Sequence, residues 1–277
     1  MSRHFLCTVA LAATAIAAEA PVRVNNPSSA ERFAKPSGEL VEREDNFWKR
    51  TPLPLPDDVI LEASGIVAVP GKRLLVTTRR GEIWWVDGAY DANPKPRYTL
   101  FASGLHEPLG IIAAPTGGYY VAQRQEVTRI EDTDGDGRAD RFVTVAKLPI
   151  SGSYHEYAFG PVLTPDGNLR VTLNVAFGGA TQAPAPWRGW MLEITPDGQI
   201  TPVAAGLRSP AGLIATSKGE WFTSENQGEW VGSGRITHIS PGDFTGHPAG
   251  LAWSRQPGST VRLRPEDIKD FEETMND

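Results

Sequence analysis

The chain has 277 residues, 40% of them hydrophobic and 22% charged, with 28 glycines, 23 prolines, one cysteine and a formal net charge of -6. That length holds one large or two ordinary domains with a sizeable core. The acidic balance and the lack of a clustered basic run exclude a nucleic-acid footprint, which needs lysines and arginines gathered on one face.

In chain order, Ser2, Arg3 and His4 precede "FLCTVALAATAIAA", an apolar run that ends in small residues. The run falls short of the roughly 20 apolar residues needed to span a bilayer, so residues 1–20 read as a signal peptide cut between Ala17 and Ala20. A short membrane anchor is the rival reading. The single cysteine, Cys7, lies inside this segment, so the mature chain is expected to lack disulfides, thiolate metal sites and haem attachment. A periplasmic or secreted protein with no transmembrane segment after cleavage is the expectation.

Residues 21–60 form a polar, proline-bearing approach, and residues 61–255 then fall into units of one kind. Each unit opens with a glycine and a short apolar strand, turns at a Gly-containing pair, and continues with β-branched and aromatic runs. The openings are "SGIVAVPGKRLLVTT", "LGIIAAPTGGYYVAQ", "FGPVLTPDGNLRVTL", "AGLIATSKGEWFTSE" and "AGLAWS", with glycines at 65, 110, 160, 212 and 250. Their spacings of 45, 50, 52 and 38 residues bracket a four-stranded propeller blade. The fold expected is an all-β propeller of four-stranded blades, with four to five present of six. A sandwich offers no reason for the same opening to return at this period. Residues 256–277 read as a charged tail, with Pro265 and its acidic neighbours suited to a helical first turn. The chain reads as cut short at that end.

The innermost strands of a propeller all start near one mouth of the central channel, so equivalent positions converge there. His106 and Glu107 precede Gly110, Arg208 and Ser209 precede Gly212, His155 and Glu156 precede Gly160 with one extra residue, and Glu62 and His247 precede Gly65 and Gly250. Such a set suits an anionic, polar or metal-bearing ligand. Capping of strand ends is the plainer role for the same residues.

A separate motif, "EDTDGDGRAD", places Asp132, Asp134 and Asp136 at alternate positions, then Gly137 and Asp140. It matches the start of a calcium loop, although Val143 stands where a bidentate Glu closes an EF-hand. A solvated acidic turn is the alternative.

"LHEPLGI", "HEYAFGPVLTPDGNLRVTLN", "RGWMLEITPDG" and "GLRSPAGL" followed by "WFTSENQGEW" together resemble the six-bladed PQQ-dependent glucose/sorbosone dehydrogenase superfamily, in the bacterial branch often fused to cytochrome c. The resemblance covers roughly residues 60–255. It implies PQQ and Ca²⁺ as cofactors, with His155 as the base that takes a sugar hydroxyl proton. Arg208 would flank the quinone, with Ser209 in place of the family's Asn, and His106 and Glu107 would complete its surroundings. Glu225 and Asn226 lie in the region that supplies metal contacts. A c-type cytochrome would be the electron acceptor. The basic residues that grip the quinone carboxylates in that family come from blades beyond this sequence. The competing readings are a non-catalytic propeller binding a glycan or protein, with Trp187, Trp190, Trp221 and Trp230 as stacking surfaces, and a Ca²⁺-dependent lactonase.

Overall fold

A computed structural model of the chain describes residues 46–49, 51–176, 183–226 and 232–269. The expected signal peptide, most of the approach segment, Trp230 and the last residues of the tail lie outside the described residues.

Four antiparallel sheets follow one another along the chain. The first holds β1 (Ala63–Val69), β2 (Arg73–Thr78), β3 (Ile83–Asp87) and β4 (Arg97–Ala102). The second holds β5 (Gly110–Ala113), β6 (Tyr119–Ala122), β7 (Glu126–Glu131) and β8 (Arg141–Lys147). The third holds β9 (Ala158–Leu163), β10 (Leu169–Leu173), β11 (Trp190–Ile194) and β12 (Ile200–Ala205). The fourth has three strands, β13 (Gly212–Ala215), β14 (Trp221–Glu225) and β15 (Arg235–Ile239). Each sheet is a meander, and β1 packs on β5, β5 on β9 and β9 on β13, so the first strands line an axis and the sheets radiate from it as blades. The expected all-β propeller is the fold, with four blades in the described residues.

The core lies between blades. Second strands such as β2, "RLLVTT", are buried on both faces, and Val121, Val171 and Leu173 are fully enclosed. Trp190 is fully buried and donates its Nε1–H to the Gly250 carbonyl at 2.7 Å. The "TPDG" turns close because Gly167 and Gly198 adopt φ near 88° and 87°, where a side chain is strained.

At Gly65 and Gly110 the recurring opening glycine has a cause outside its own blade. A Cβ on Gly110 would sit 1.8 Å from the carbonyl oxygen of Gly160, and one on Gly65 would sit 2.7 Å from the Cα of Gly110. At these two positions the first strands of successive blades approach so closely that no side chain fits between their backbones.

The fifth opening does not start a strand. Pro248–Trp253 forms a 3-10 helix, with Pro248 in its first turn and His247 as its cap, the His247 Nδ1 accepting from the Ala249 N–H at 3.3 Å. After β15 the chain turns back onto the outer edge of blade 3, where Phe244 bridges Ala205 in parallel and Gly250 rests against Gly189. The proline and the capping histidine therefore serve a turn there, and buried His247 lies away from the axis. A second short 3-10 turn, Pro265–Asp267, occupies the tail where the proline predicted a helical start.

Candidate functional site

Because strands alternate in direction, each first strand begins at the end of the blade where its second strand finishes. One hydrogen bond repeats there in three blades. The His106 N–H donates to Gln123 Oε1 at 2.5 Å, the Tyr157 N–H to Asn174 Oδ1 at 2.6 Å, and the Arg208 N–H to Glu225 Oε1 at 2.6 Å. Every one of these bonds spans 17 residues. The side chain closing the second strand thus satisfies a main-chain donor that the ladder leaves open at the mouth. Tyr157 stands where His106 and Arg208 stand in their own blades, and His155 is carried two residues further out.

Charged groups link the mouth across three blades. Glu107 accepts from Arg124 at 2.9 Å and pairs with Arg79 of blade 1 at 3.5 Å. Arg124 also donates to the carbonyls of Glu156 at 2.8 Å and Ser153 at 2.6 Å, and its guanidinium lies 5.2 Å over the Tyr157 ring. These bonds fasten the blade 3 opening, and with it His155, to blade 2.

Beneath that opening is a buried polar cluster. Glu156 and Arg188 are both fully enclosed, with Arg188 Nε 3.7 Å from Glu156 Oε1. Glu156 accepts from the main chain and hydroxyl of Ser151 at 2.7 and 3.0 Å. Arg188 donates to the carbonyls of Tyr157 at 2.6 Å and Pro149 at 2.7 Å, and reaches Asn174 Oδ1 at 3.5 Å. Burial pulls the Arg188 guanidinium down to about 10, against the raising effect of Glu156. Asn174 in turn donates to the His155 carbonyl at 2.8 Å and lies 3.4 Å from His155 Nδ1.

The next residue, Val175, donates its N–H to the Arg208 carbonyl at 3.0 Å. His155 and Arg208 therefore flank one strand end, and His106 joins them through Arg124, whose N–H donates to the His106 carbonyl at 3.2 Å. The structure gathers His106, Glu107, His155, Arg208 and Ser209 at one mouth. His106 is exposed there, with Nδ1 against Gln125 at 2.5 Å, while His155 and Arg208 are half-buried. Tyr154, 71% exposed, stands beside His155 with ring centroids 6.0 Å apart.

Glu225 and Asn226 sit at the same end. Glu225 is buried, one oxygen accepting from the Arg208 N–H and the other from Arg235 at 2.8 and 3.1 Å, so both already have donors. The Asn226 N–H donates to the Ser209 carbonyl at 3.4 Å. Glu225 here supports the site's backbone.

The aspartate loop joins β7 to β8 and lies at the opposite end of the blade from the mouth. Carboxylate oxygens of Asp132, Asp134 and Asp136 fall within 4.8 Å of one another. Asp132 accepts from the N–H groups of Gly135 and Gly137, which curls the loop around them. Asp140 faces the other way, accepting from the Thr133 N–H and hydroxyl, and the hydroxyl bond holds its carboxyl below the usual range. The loop also grips blade 1, with Trp85 donating to the Gly137 carbonyl at 3.0 Å and Ala139 to that of Phe101 at 2.8 Å.

The sequence reading overlooked Arg124, Asn174 and Arg188. The 17-residue interval from a blade opening to the end of its second strand is the signal that points to Gln123 and Asn174. Arg188, inside "PWRGW", carries no such mark.

Fold and mouth together define a β-propeller with polar and charged side chains gathered at one end of its axis. The backbone is similar to an oxidoreductase described as a glucose dehydrogenase from Thermus thermophilus, with TM-score 0.54 and 23% identity over 68% of this chain and 66% of that one. It is similar also to the PQQ-bound aldose sugar dehydrogenase from Streptomyces coelicolor, with TM-score 0.55 and 22% identity over 73% and 66%. A carbohydrate-active enzyme of family AA12 from Trichoderma reesei aligns with TM-score 0.54 at 14% identity over 65% and 52%. The chain thus spans 66% of the length of each of the first two. No curated protein matches the sequence. Residues 86–249 match the family described as Domain of unknown function (DUF7133), and the chain belongs to that family.

Proposed function

We infer that this chain is the propeller, or part of the propeller, of an exported quinoprotein-like dehydrogenase that oxidises a sugar or aldehyde substrate. The observation that carries this is the pairing of His155 and Arg208 about one strand end, at the channel mouth of a sugar dehydrogenase fold. The exposed His106, half-buried Arg208 and Arg79, whose side chain is 58% exposed, supply cationic and hydrogen-bonding groups of the kind a tricarboxylate quinone needs. Glu107 is already paired with two arginines, so its charge does not oppose an anion.

When bound, PQQ supplies a two-electron acceptor and Ca²⁺ a Lewis acid. The chain's own residues do the rest. Arg208 and Ser209 orient the ligand, His106 and Glu107 border it, and His155 receives the hydroxyl proton, which requires a neutral ring. A c-type cytochrome fits as the onward electron acceptor. A periplasmic or secreted location agrees with the apolar N-terminal run of the sequence, and among the described residues no helix is long and apolar enough to cross a membrane. The loop of Asp132, Asp134 and Asp136, with Asp140 behind it, is proposed as a separate structural Ca²⁺ site.

Titration of the full chain with PQQ and Ca²⁺ tests the reading, with expected outcomes of a quinone spectral shift, a higher melting temperature and dye reduction on adding an aldose. His155→Ala should lower dye reduction by at least about 100-fold. Full activity in that variant would remove His155 from the reaction. The second reading, a glycan-binding propeller, draws on the exposed Tyr154 ring beside His155, a surface on which a sugar can stack. Oligosaccharide binding with no quinone spectral change would favour it.

A further inference from the structure

The amide of Asn174 has only one orientation that its neighbours accept. Its Oδ1 faces two donors, the Tyr157 N–H at 2.6 Å and the Arg188 guanidinium at 3.5 Å, while its other end faces the His155 carbonyl at 2.8 Å. Turned over, it would set an NH₂ against two donors and a carbonyl oxygen against an acceptor. Arg188 cannot move aside, because it is fully enclosed and its remaining donors hold the Tyr157 and Pro149 carbonyls beside Glu156. The NH₂ that bonds the His155 carbonyl also lies 3.4 Å from His155 Nδ1, with its second hydrogen available to that nitrogen. An N–H on Nδ1 would meet another N–H there.

We propose that Asn174, locked by Arg188 and Tyr157, is a positioning residue that keeps the His155 ring neutral with Nδ1 as acceptor and the ring proton on Nε2. This rests on His155 being at the reacting centre and makes that assignment more specific. In that form His155 donates only through Nε2. It takes up a hydroxyl proton at Nε2 only after the ring proton has left that nitrogen for Nδ1, exchanged through solvent, and this sacrifices the Asn174 contact. Replacing the amide by a carboxylate reverses the preference, since a carboxylate accepts from Nδ1–H and leaves Nε2 with its lone pair.

Long-range ¹H–¹⁵N correlation spectra of ¹⁵N-histidine-labelled protein, without cofactor, at about pH 8.5, above the ordinary imidazole range, read the tautomer directly. His155→Gln assigns the signals. The expected parent spectrum has protonated Nε2 and unprotonated Nδ1 at His155, and Asn174→Asp exchanges the two. A parent ring protonated at Nδ1, or an N174D ring like the parent's, overturns the proposal without requiring any variant to be active. R188K should give a mixture of tautomers, and a parent-like R188K spectrum would remove Arg188 from the lock. If PQQ-loaded protein reduces dye, N174D should do so at least about 10-fold faster. If neither reduces dye while the tautomers are as expected, the dehydrogenase assignment fails and the positioning role stands.

Discussion

At Arg188 a full charge is held where no solvent reaches it, and Glu156 alone balances it among the described residues. Taking two ions out of water is expensive, and removing one partner leaves the other uncompensated. Arg188→Met is therefore expected to lose about 3–5 kcal/mol, read by urea unfolding. Adding Glu156→Leu to it should recover part of that loss, because the orphaned carboxylate is then gone. Equal stability of the single and double variants would show that the carbonyl bonds to Tyr157 and Pro149, rather than the ion pair, carry Arg188's contribution. The two partners were unequally legible in the sequence. Glu156 stands out beside His155 in a repeating opening, whereas Arg188 lies in a loop whose spacing to the opening is set by "PAPWRG" and repeats nowhere else.

Elements in this fold are joined at their ends, and the two ends of blade 2 are joined differently. At the mouth, Gln123 reaches back 17 residues to the His106 N–H. Gln123→Ala leaves that donor without its partner and should cost about 1–3 kcal/mol, measured by thermal or denaturant melting. At the far end the aspartate loop holds Trp85 and Phe101 of the preceding blade through main-chain contacts. If the loop takes Ca²⁺, the ion acts as a clamp between blades, so millimolar CaCl₂ should raise the melting temperature by several degrees and Asp132→Asn should abolish the shift. An equal rise in both proteins would assign the effect to another site. The loop was readable as a string because its ligands are local. Its role in binding blade 1 was not, since Trp85 lies 52 residues from Gly137 and nothing in the spelling connects them. The opening at Gly250 shows the limit of periodicity. "P-A-G-L" is the same string at Gly212, where a strand follows, and at Gly250, where a capping histidine and neighbouring blade 3 select a helical turn.

For the whole molecule the seam of first strands sets the tolerance. Gly110→Ala forces a methyl into the backbone of Gly160, which has no side chain to swing away, and should destabilise by about 3 kcal/mol or more. At Gly212 the nearest atom to an added methyl is the Ser224 hydroxyl of the same blade, so Gly212→Ala should be milder. Comparable melting temperatures for the two would mean that the seam relaxes more readily than its spacing implies. The architecture could be read from the sequence because a glycine recurs at the opening of every unit, demanded by the seam at Gly65 and Gly110, while the buried cluster under His155 belongs to a single blade and left no pattern.

The same glycine thus behaves as an interchange standard. Blade 1 is compatible with blade 2, and blade 2 with blade 3, only if both present bare backbone at the shared line. Duplicating, swapping or grafting units in the laboratory should succeed or fail on that criterion before any question of loop chemistry arises.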